Sequence, residues 1–264
     1  MLFETRDKER LRRHFERDKV LFAYHLGDLD LFHFPDCRWL VDSDSDFEHV
    51  ILIYHGPTIP TVLLFGLSTG FLGFVNESLS VLPDEFYCHC QNHVRESLTR
   101  IFNEKPLGGH LKMHRAHSAA SGGFMASDEA ARSTMLRLDR SHLAQLEKLY
   151  DDAYPDNYFD PRMLDTNKYY GVFKDDSITA VSGIHVYSKE YDIAVLGNVA
   201  TAVDCRGRGL ATMATARLLQ DLEDEPIGTI CLNVAEDNPA AIHCYEKLGF
   251  EVKHKYREAL FTRK

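Results

Sequence analysis

Apolar positions along this chain fall into two rhythms, and each rhythm predicts its own elements. Val94, Leu98, Ile101 and Phe102 recur at offsets 4, 7 and 8, which marks one buried helix face. Leu11 and Phe15 draw a narrower stripe along a charged segment, predicting a helix over 7–18. A second short helix is expected over 21–29. Apolar runs at 37–41, 50–54 and 61–67 read as strands. Gly108-Gly109 is expected to end the helix before it, with a further strand over 110–117.

The second half is richer in strands. Strands are expected at 135–138, 169–173, 178–186, 191–203 and 229–234. Lys174-Asp175-Asp176-Ser177 fits a hairpin connection. A helix over 142–154 places Leu143, Leu146, Leu149 and Tyr150 on one side, and Pro155, Asn157 and Pro161 impose a loop. Further helices are expected over 209–222 and 239–248, with a closing strand or pair over 252–261. The fold class is therefore α/β, of the mixed α+β kind. The small, flexible stretch Ser118-Ala119-Ala120-Ser121-Gly122-Gly123 suggests a boundary near residue 130, with an N-terminal α/β domain at 1–130 and a second domain at 131–264.

Composition narrows the class. The chain has 264 residues, 44% apolar and 27% charged, which favours a packed fold over disorder. The formal charge is −10, with −6 in residues 1–130 and −4 in 131–264, so neither half suits a general nucleic-acid binder. No apolar run approaches the roughly 20 residues needed to span a bilayer. The start Met1-Leu2-Phe3-Glu4-Thr5-Arg6 has no signal-peptide core, and the six cysteines read as buried thiols. The expected location is the cytoplasm, with no membrane partner.

The segment 199–250 concentrates the chemistry. Arg206-Gly207-Arg208-Gly209-Leu210-Ala211 lies between an apolar strand and a helix. Its glycines permit left-handed backbone and close ligand approach. The first N–H groups of the helix lack internal partners and suit a pyrophosphate, with Arg206 and Arg208 adding charge. The run lacks the Gly-Lys-Ser/Thr ending of a Walker loop and is no complete Gly-x-Gly-x-x-Gly. Farther on, Asn238 and Pro239 suit the start of a helix, and Ile242, Tyr245 and Leu248 share one of its faces.

These residues carry a resemblance. Residues 133–264 resemble the GCN5-related N-acetyltransferase (GNAT) superfamily. Arg206–Ala211 is similar to its acetyl-CoA pyrophosphate loop, and Asn238-Pro239-Ala240-Ala241 with Tyr245 and Gly249-Phe250 is similar to its second signature. The resemblance implies a GNAT-like twisted mixed sheet that splays open between two central strands, here 196–203 and 229–234. It implies acetyl-CoA or another acyl-CoA as co-substrate. The pantetheine arm would be held along Val199, Ala200, Thr201, Ala202 and Val203, and the diphosphate at Arg206, Gly207, Arg208, Gly209, Leu210, Ala211 and Thr212. Asn233, Asn238, Ala241 and Tyr245 would lie near its path. Tyr245 matches the family's general acid. The strand 196–203 holds no carboxylate, so His185, Glu190 and Asp192 are the candidates for a base acting through water.

Residues 1–130 show no second Arg-Gly-x-Gly loop. A degenerate copy of the same fold and an unrelated substrate or dimerisation domain both stay open. Two other clusters read as ordinary structure. Cys88-x-Cys90-x-x-His93 has poor spacing for zinc, and no metal is expected. Asp42-x-Asp44-x-Asp46 continues with Phe47 where a calcium loop needs Gly. The function expected is transfer of an acetyl group from acetyl-CoA to a primary amine of a small molecule by direct attack. The rivals are a peptide or protein N-acetyltransferase and a non-catalytic acyl-CoA sensor or assembly module. A homodimer is compatible with all three.

Overall fold

The computed structural model describes residues 2–30, 33–56, 59–115, 134–155 and 157–264. In chain order its first elements are β1 (Phe3–Glu4), α1 (Lys8–Phe15), α2 (Ala23–Gly27), β2 (Cys37–Val41), β3 (Val50–Tyr54), β4 (Thr61–Leu64), α3 (Phe71–Ser78), β5 (Glu85–Cys90), α4 (Arg95–Ile101) and β6 (Phe102–Arg115). There follow β7 (Thr134–Arg137), α5 (Leu143–Ala153), β8 (Tyr170–Lys174), β9 (Ser177–Ser188), β10 (Ile193–Thr201), α6 (Leu210–Glu223), β11 (Thr229–Ala235), α7 (Pro239–Lys247) and β12 (Phe250–Arg263). The residues divide into two compact units that are discontinuous in sequence. One takes Met1–Lys112, Val234–Asn238 and Val252–Lys264; the other takes Met113–Asn233 and Pro239–Glu251. The boundary expected near residue 130 lies outside the described residues.

In the first unit the strand order is β1-β2-β3-β4-β5-β12-β6. Strands β1 to β4 form an antiparallel meander, and β5 runs parallel to β4. Side chains alternate across the sheet, as strand geometry requires. Leu40 joins Ile51, Val62, Phe71, Phe86 and Phe261 in the core beneath α3 and α4. Its neighbour Trp39 faces the other way and meets Phe15 of α1 at 5.6 Å between ring centroids. Helix α1 starts where the Asp7 carboxylate accepts from the Arg10 N–H at 3.0 Å, and it buries Leu11, His14 and Phe15. Cys88 and Cys90 point into the core as buried thiols. The Asp42 carboxylate accepts from the Glu48 and His49 N–H groups, closing a turn.

Contrary to the sequence expectation, the helix before the glycine pair already ends at Ile101. Gly108-Gly109 does not end the element before it; β6 runs through both glycines to Arg115. Gly108 sits at φ +126°, a conformation open to glycine, and the Gly109 carbonyl accepts from the Glu236 N–H at 2.9 Å. The glycines bend a continuous strand rather than stop it.

The second unit repeats the same chain path. Strands β7 to β10 form an antiparallel meander, and β11 runs parallel to β10. The β8–β9 hairpin turns on Asp175 (φ +48°) and Asp176 (φ +61°), and Lys174 pairs with Ser177 as the sequence predicts. Helix α6 covers one face. Val172, Ala180, Cys205, Leu210 and Ala214 form that layer of the core. Small residues bring helix and sheet close: the Thr215 hydroxyl donates to Ser182 at 3.2 Å.

Each unit thus has four meandering strands, a helix (α3 or α6), a parallel fifth strand and a following helix (α4 or α7). Residues 1–112 are a second copy of the topology of the later half. In that first copy the outer end of the parallel pair is stitched shut. The Gln91 N–H donates to Leu64 O at 3.3 Å, and its side-chain oxygen accepts from the Gly66 N–H at 2.9 Å. The loop into α3 holds no residue at positive φ, and α3 is 8 residues long against 14 for α6.

Candidate active site

The second copy leaves the same place open. Strands β10 and β11 pair from Ile193↔Thr229 to Leu196↔Leu232. Both continue, to Thr201 and Ala235, without further paired residues among the described ones. The cause is visible in β10. Asn198 takes φ +54°, and the register against β9 slips between Gly197 and Ala200. A bulge of this kind turns the strand away from its neighbour. Val199, Ala200 and Thr201 lie past this split, while Ala202 and Val203 leave the strand for a turn of 3-10 helix at Val203–Cys205. On the facing strand, the buried Asn233 Nδ2 has no protein acceptor. An unpaired buried amide is costly, on the order of 1–3 kcal/mol.

The turn into α6 has the form the sequence predicts. Gly207 sits at φ +76° and Gly209 at φ +80°. Nothing lies within 4 Å of where a Gly207 side chain would begin, so conformation, not crowding, selects glycine there. Gly209 occupies the N-cap and has no side chain to satisfy the helix, and no acidic residue sits in the first turn. The first N–H group with a bond inside the helix is that of Met213, which donates to Gly209 O at 3.0 Å. The N–H groups of Leu210, Ala211 and Thr212 precede it and are oriented for an anion. Arg206 braces the turn: it donates to Thr201 O at 3.3 Å and to Ala153 O at 3.0 Å. Arg208 donates to Asp204 O at 2.7 Å. Both guanidinium groups therefore shape the loop as well as charging it.

Helix α7 begins at Pro239, directly after Asn238, whose N–H donates to Ala235 O at 3.1 Å. Ala241 is half-buried in its first turn. Tyr245 is buried, with Phe250 packed edge-on at 6.0 Å. Burial pushes its phenol above the ordinary range, with smaller contributions from Cys244 and Tyr154, so it keeps its proton at neutral pH. Cys244 Sγ meets Thr212 Oγ1 at 3.0 Å, tying α7 to the first turn of α6.

The three base candidates separate. Asp192 precedes β10 at φ +57°; its carboxylate accepts from the Gly228 N–H and its carbonyl from the Thr229 N–H. It clamps the paired end of β10 and β11. From there to Val199 a strand covers roughly 23 Å. Glu190 is exposed in the β9–β10 turn at that same end. His185 alone lies beside the split. A Cβ on Gly197 would fall 2.5 Å from the imidazole, so the ring rests directly on the strand. Its Nε2 lies 2.9 Å from Asn198 Oδ1.

Asn198, Tyr169 and Tyr150 belong to this site and were not among the sequence candidates. Asn198 Nδ2 donates to the Tyr169 hydroxyl at 2.9 Å, and the Tyr150 hydroxyl donates to Asn198 O at 2.9 Å. An asparagine inside an apolar strand was the one available signal.

The comparisons with known proteins fit this geometry. Residues 135–250 match the acetyltransferase (GNAT) family. A mycothiol acetyltransferase from Rhodococcus erythropolis is 34% identical over 110 residues, covering 39% of this chain and 35% of that protein. The chain spans about a third of the length of the curated mycothiol acetyltransferases it matches. In fold, a Drosophila protein solved by structural genomics matches 99% of this chain and 98% of its own, with TM-score 0.72 and 13% identity. A tandem GNAT protein from the clavulanic acid biosynthesis pathway matches 98% and 97%, with TM-score 0.63 and 11% identity.

Proposed function

We propose that this chain, which has the GNAT-superfamily fold in tandem form, moves an acetyl group from acetyl-CoA to a primary amine of a small molecule. One observation carries the reading: a parallel strand pair splits beside a helix start whose N–H groups have no side-chain cap. The mycothiol acetyltransferase match supports a small-molecule acceptor. The charge of −10 favours no nucleic-acid role. The described residues include no helix long and apolar enough to cross a membrane. All six cysteines are free thiols, which supports a reducing, cytoplasmic setting.

Bound acetyl-CoA supplies an acyl thioester that a neutral amine can attack. The N–H groups of Leu210, Ala211 and Thr212 hold its diphosphate, with Gly207 allowing close approach. The Asn233 amide and the strand edge at Val199–Thr201 meet its amide-bearing arm. Tyr245 donates a proton to the departing thiolate. An ordinary thiol lies near 8.5, so a phenol gives up its proton readily only where burial raises the thiol as well. His185 takes the proton that the acceptor ammonium must lose.

An amine screen scored by thiol release tests the reading, with Tyr245→Phe run beside the unaltered protein. The expected loss in kcat is on the order of 100-fold, with CoA affinity nearly unchanged. Equal turnover by both proteins would remove Tyr245 from the chemistry. Transfer to none of the amines would remove the reading itself.

A further inference from the structure

The polar chain behind β10 has a fixed direction. The Tyr169 hydroxyl carries one hydrogen and lies 3.1 Å from Ile184 O, which can only accept. The hydroxyl therefore accepts from Asn198, whose only side-chain donor is Nδ2, at 2.9 Å. That turns Asn198 Oδ1 toward His185 Nε2, also at 2.9 Å. An amide oxygen cannot donate, so Nε2 must carry the hydrogen. The Met163 sulfur lies 3.4 Å from the Tyr169 hydroxyl and 3.5 Å from Asn198 Nδ2, and a weak acceptor there agrees with this assignment.

Three features hold the asparagine in place. It is 3% exposed, its backbone sits at φ +54°, and its carbonyl accepts from the Tyr150 hydroxyl. Asparagine is among the few non-glycine residues that take this conformation readily. The bulge that opens the strands thus also presents the amide to the imidazole. Both functions rest on one residue.

We infer that Asn198, oriented by Tyr169, fixes His185 as the Nε2–H tautomer, and that it is a positioning residue for removal of the acceptor's proton. The inference rests on the acetyl-transfer reading. In the step, an N–H bond of the acceptor ammonium breaks and its electron pair stays on nitrogen. A new N–H bond forms at His185 Nδ1, directly or through one water, and the positive charge moves to the ring. Nε2–H keeps donating to Asn198 in both states of the ring. Among the described residues, the titratable groups facing this chain are Tyr150 from α5 with Tyr154 at the end of that helix, and Tyr169 before β8, with Asp160 beyond Tyr169 and paired with Arg162. Burial holds the Tyr150 and Tyr169 phenols in their neutral form.

The test uses the full chain and two variants. Long-range proton–nitrogen NMR of the His185 ring should show hydrogen on Nε2 and none on Nδ1. Tyr169→Phe frees the amide to turn over, so both tautomers should appear. Asn198→Asp keeps the backbone preference and gives Nε2–H a charged acceptor. It should move the acid limb of kcat/KM upward by about one pH unit, together with the His185 titration. Hydrogen on Nδ1 in the unaltered protein would overturn the inference. So would an acid limb that stays in place while the His185 titration moves. Either result with transfer intact overturns this inference alone, whereas failure to bind CoA and to transfer overturns the reading beneath it.

Discussion

Gly207→Ala separates the fold from the anion site, because the structure assigns the two effects different sizes. The residue sits at φ +76° with open space around its Cα. Alanine there meets no neighbour, so the folding cost is the left-handed penalty alone, about 1–2 kcal/mol. For a protein of this size that lowers Tm by roughly 2–4 °C per kcal/mol. Binding suffers separately. The new methyl group projects from the turn where a diphosphate must approach the N–H groups of Leu210, Ala211 and Thr212. Losing one hydrogen bond to a charged oxygen costs about 1.5–3 kcal/mol, or roughly 10- to 100-fold in Kd. Calorimetry with CoA and with pantetheine, which lacks the diphosphate, resolves the two. CoA should weaken by that factor and pantetheine by less than about twofold. Equal losses for both ligands, or none for CoA, would refute the anion site at α6.

Asp192→Ala removes the clamp on the Gly228 N–H and puts alanine at φ +57°. It should cost about 2–3 kcal/mol in denaturant melts while leaving the pH dependence of kcat/KM in place. A displaced acid limb would return Asp192 to the list of bases. Stability should fall in acid through Glu225. Burial pushes this carboxyl up, but bonds from Lys168, Tyr187 and Lys189 outweigh it and hold it at about 2, against 4.5 unfolded. A depressed carboxyl stabilises above the unfolded value and loses that contribution as pH falls from about 5 toward 2. Solvent screening limits the effect to the order of 1 kcal/mol. Lys168→Met should flatten this part of the pH–stability curve, and an unchanged slope would exclude the network. Finally, CoA should titrate at one molecule per chain, because Gln91 closes the first copy; a stoichiometry of two would contradict that.

Local chemistry explains which parts were legible in the sequence. Cys37–Val41 and Val50–Tyr54 are strands at the predicted residues because short apolar runs between turn residues admit little else. The Gly207 and Gly209 turn was legible because two glycines before an apolar helix satisfy a backbone need. Helix α3 was not, since its buried face of Phe71, Phe74, Val75 and Ser78 is short and closes on a polar residue, while Gly73 on the exposed side weakens the helical preference. The placement of 252–264 with the first unit is a long-range pairing, β12 against β5, and no local pattern encodes it. In the site, Glu190 and Asp192 were close to the split only along the chain. A strand separates positions by length, so about seven to nine residues removed them. Asn198 carried no visible role until its partners on β9 and ahead of β8 fixed its direction.

The two copies answer one physical problem in different ways. Ending a strand pair early leaves donors and acceptors that something must satisfy. In the first copy Gln91 supplies the missing bond from its own side chain, and the loop beyond it needs no special backbone. In the second copy the pair ends at Leu196 and Leu232, Asn233 keeps a buried amide without a protein acceptor, and α6 begins on a glycine that cannot cap it. These three deficits lie in one unit, along one strand end and the turn that follows it. A ligand with an amide-bearing arm and a diphosphate would satisfy all of them, whereas a simple anion would satisfy only the last. The shape of what is missing, more than any single residue, therefore favours a CoA thioester over a generic phosphate.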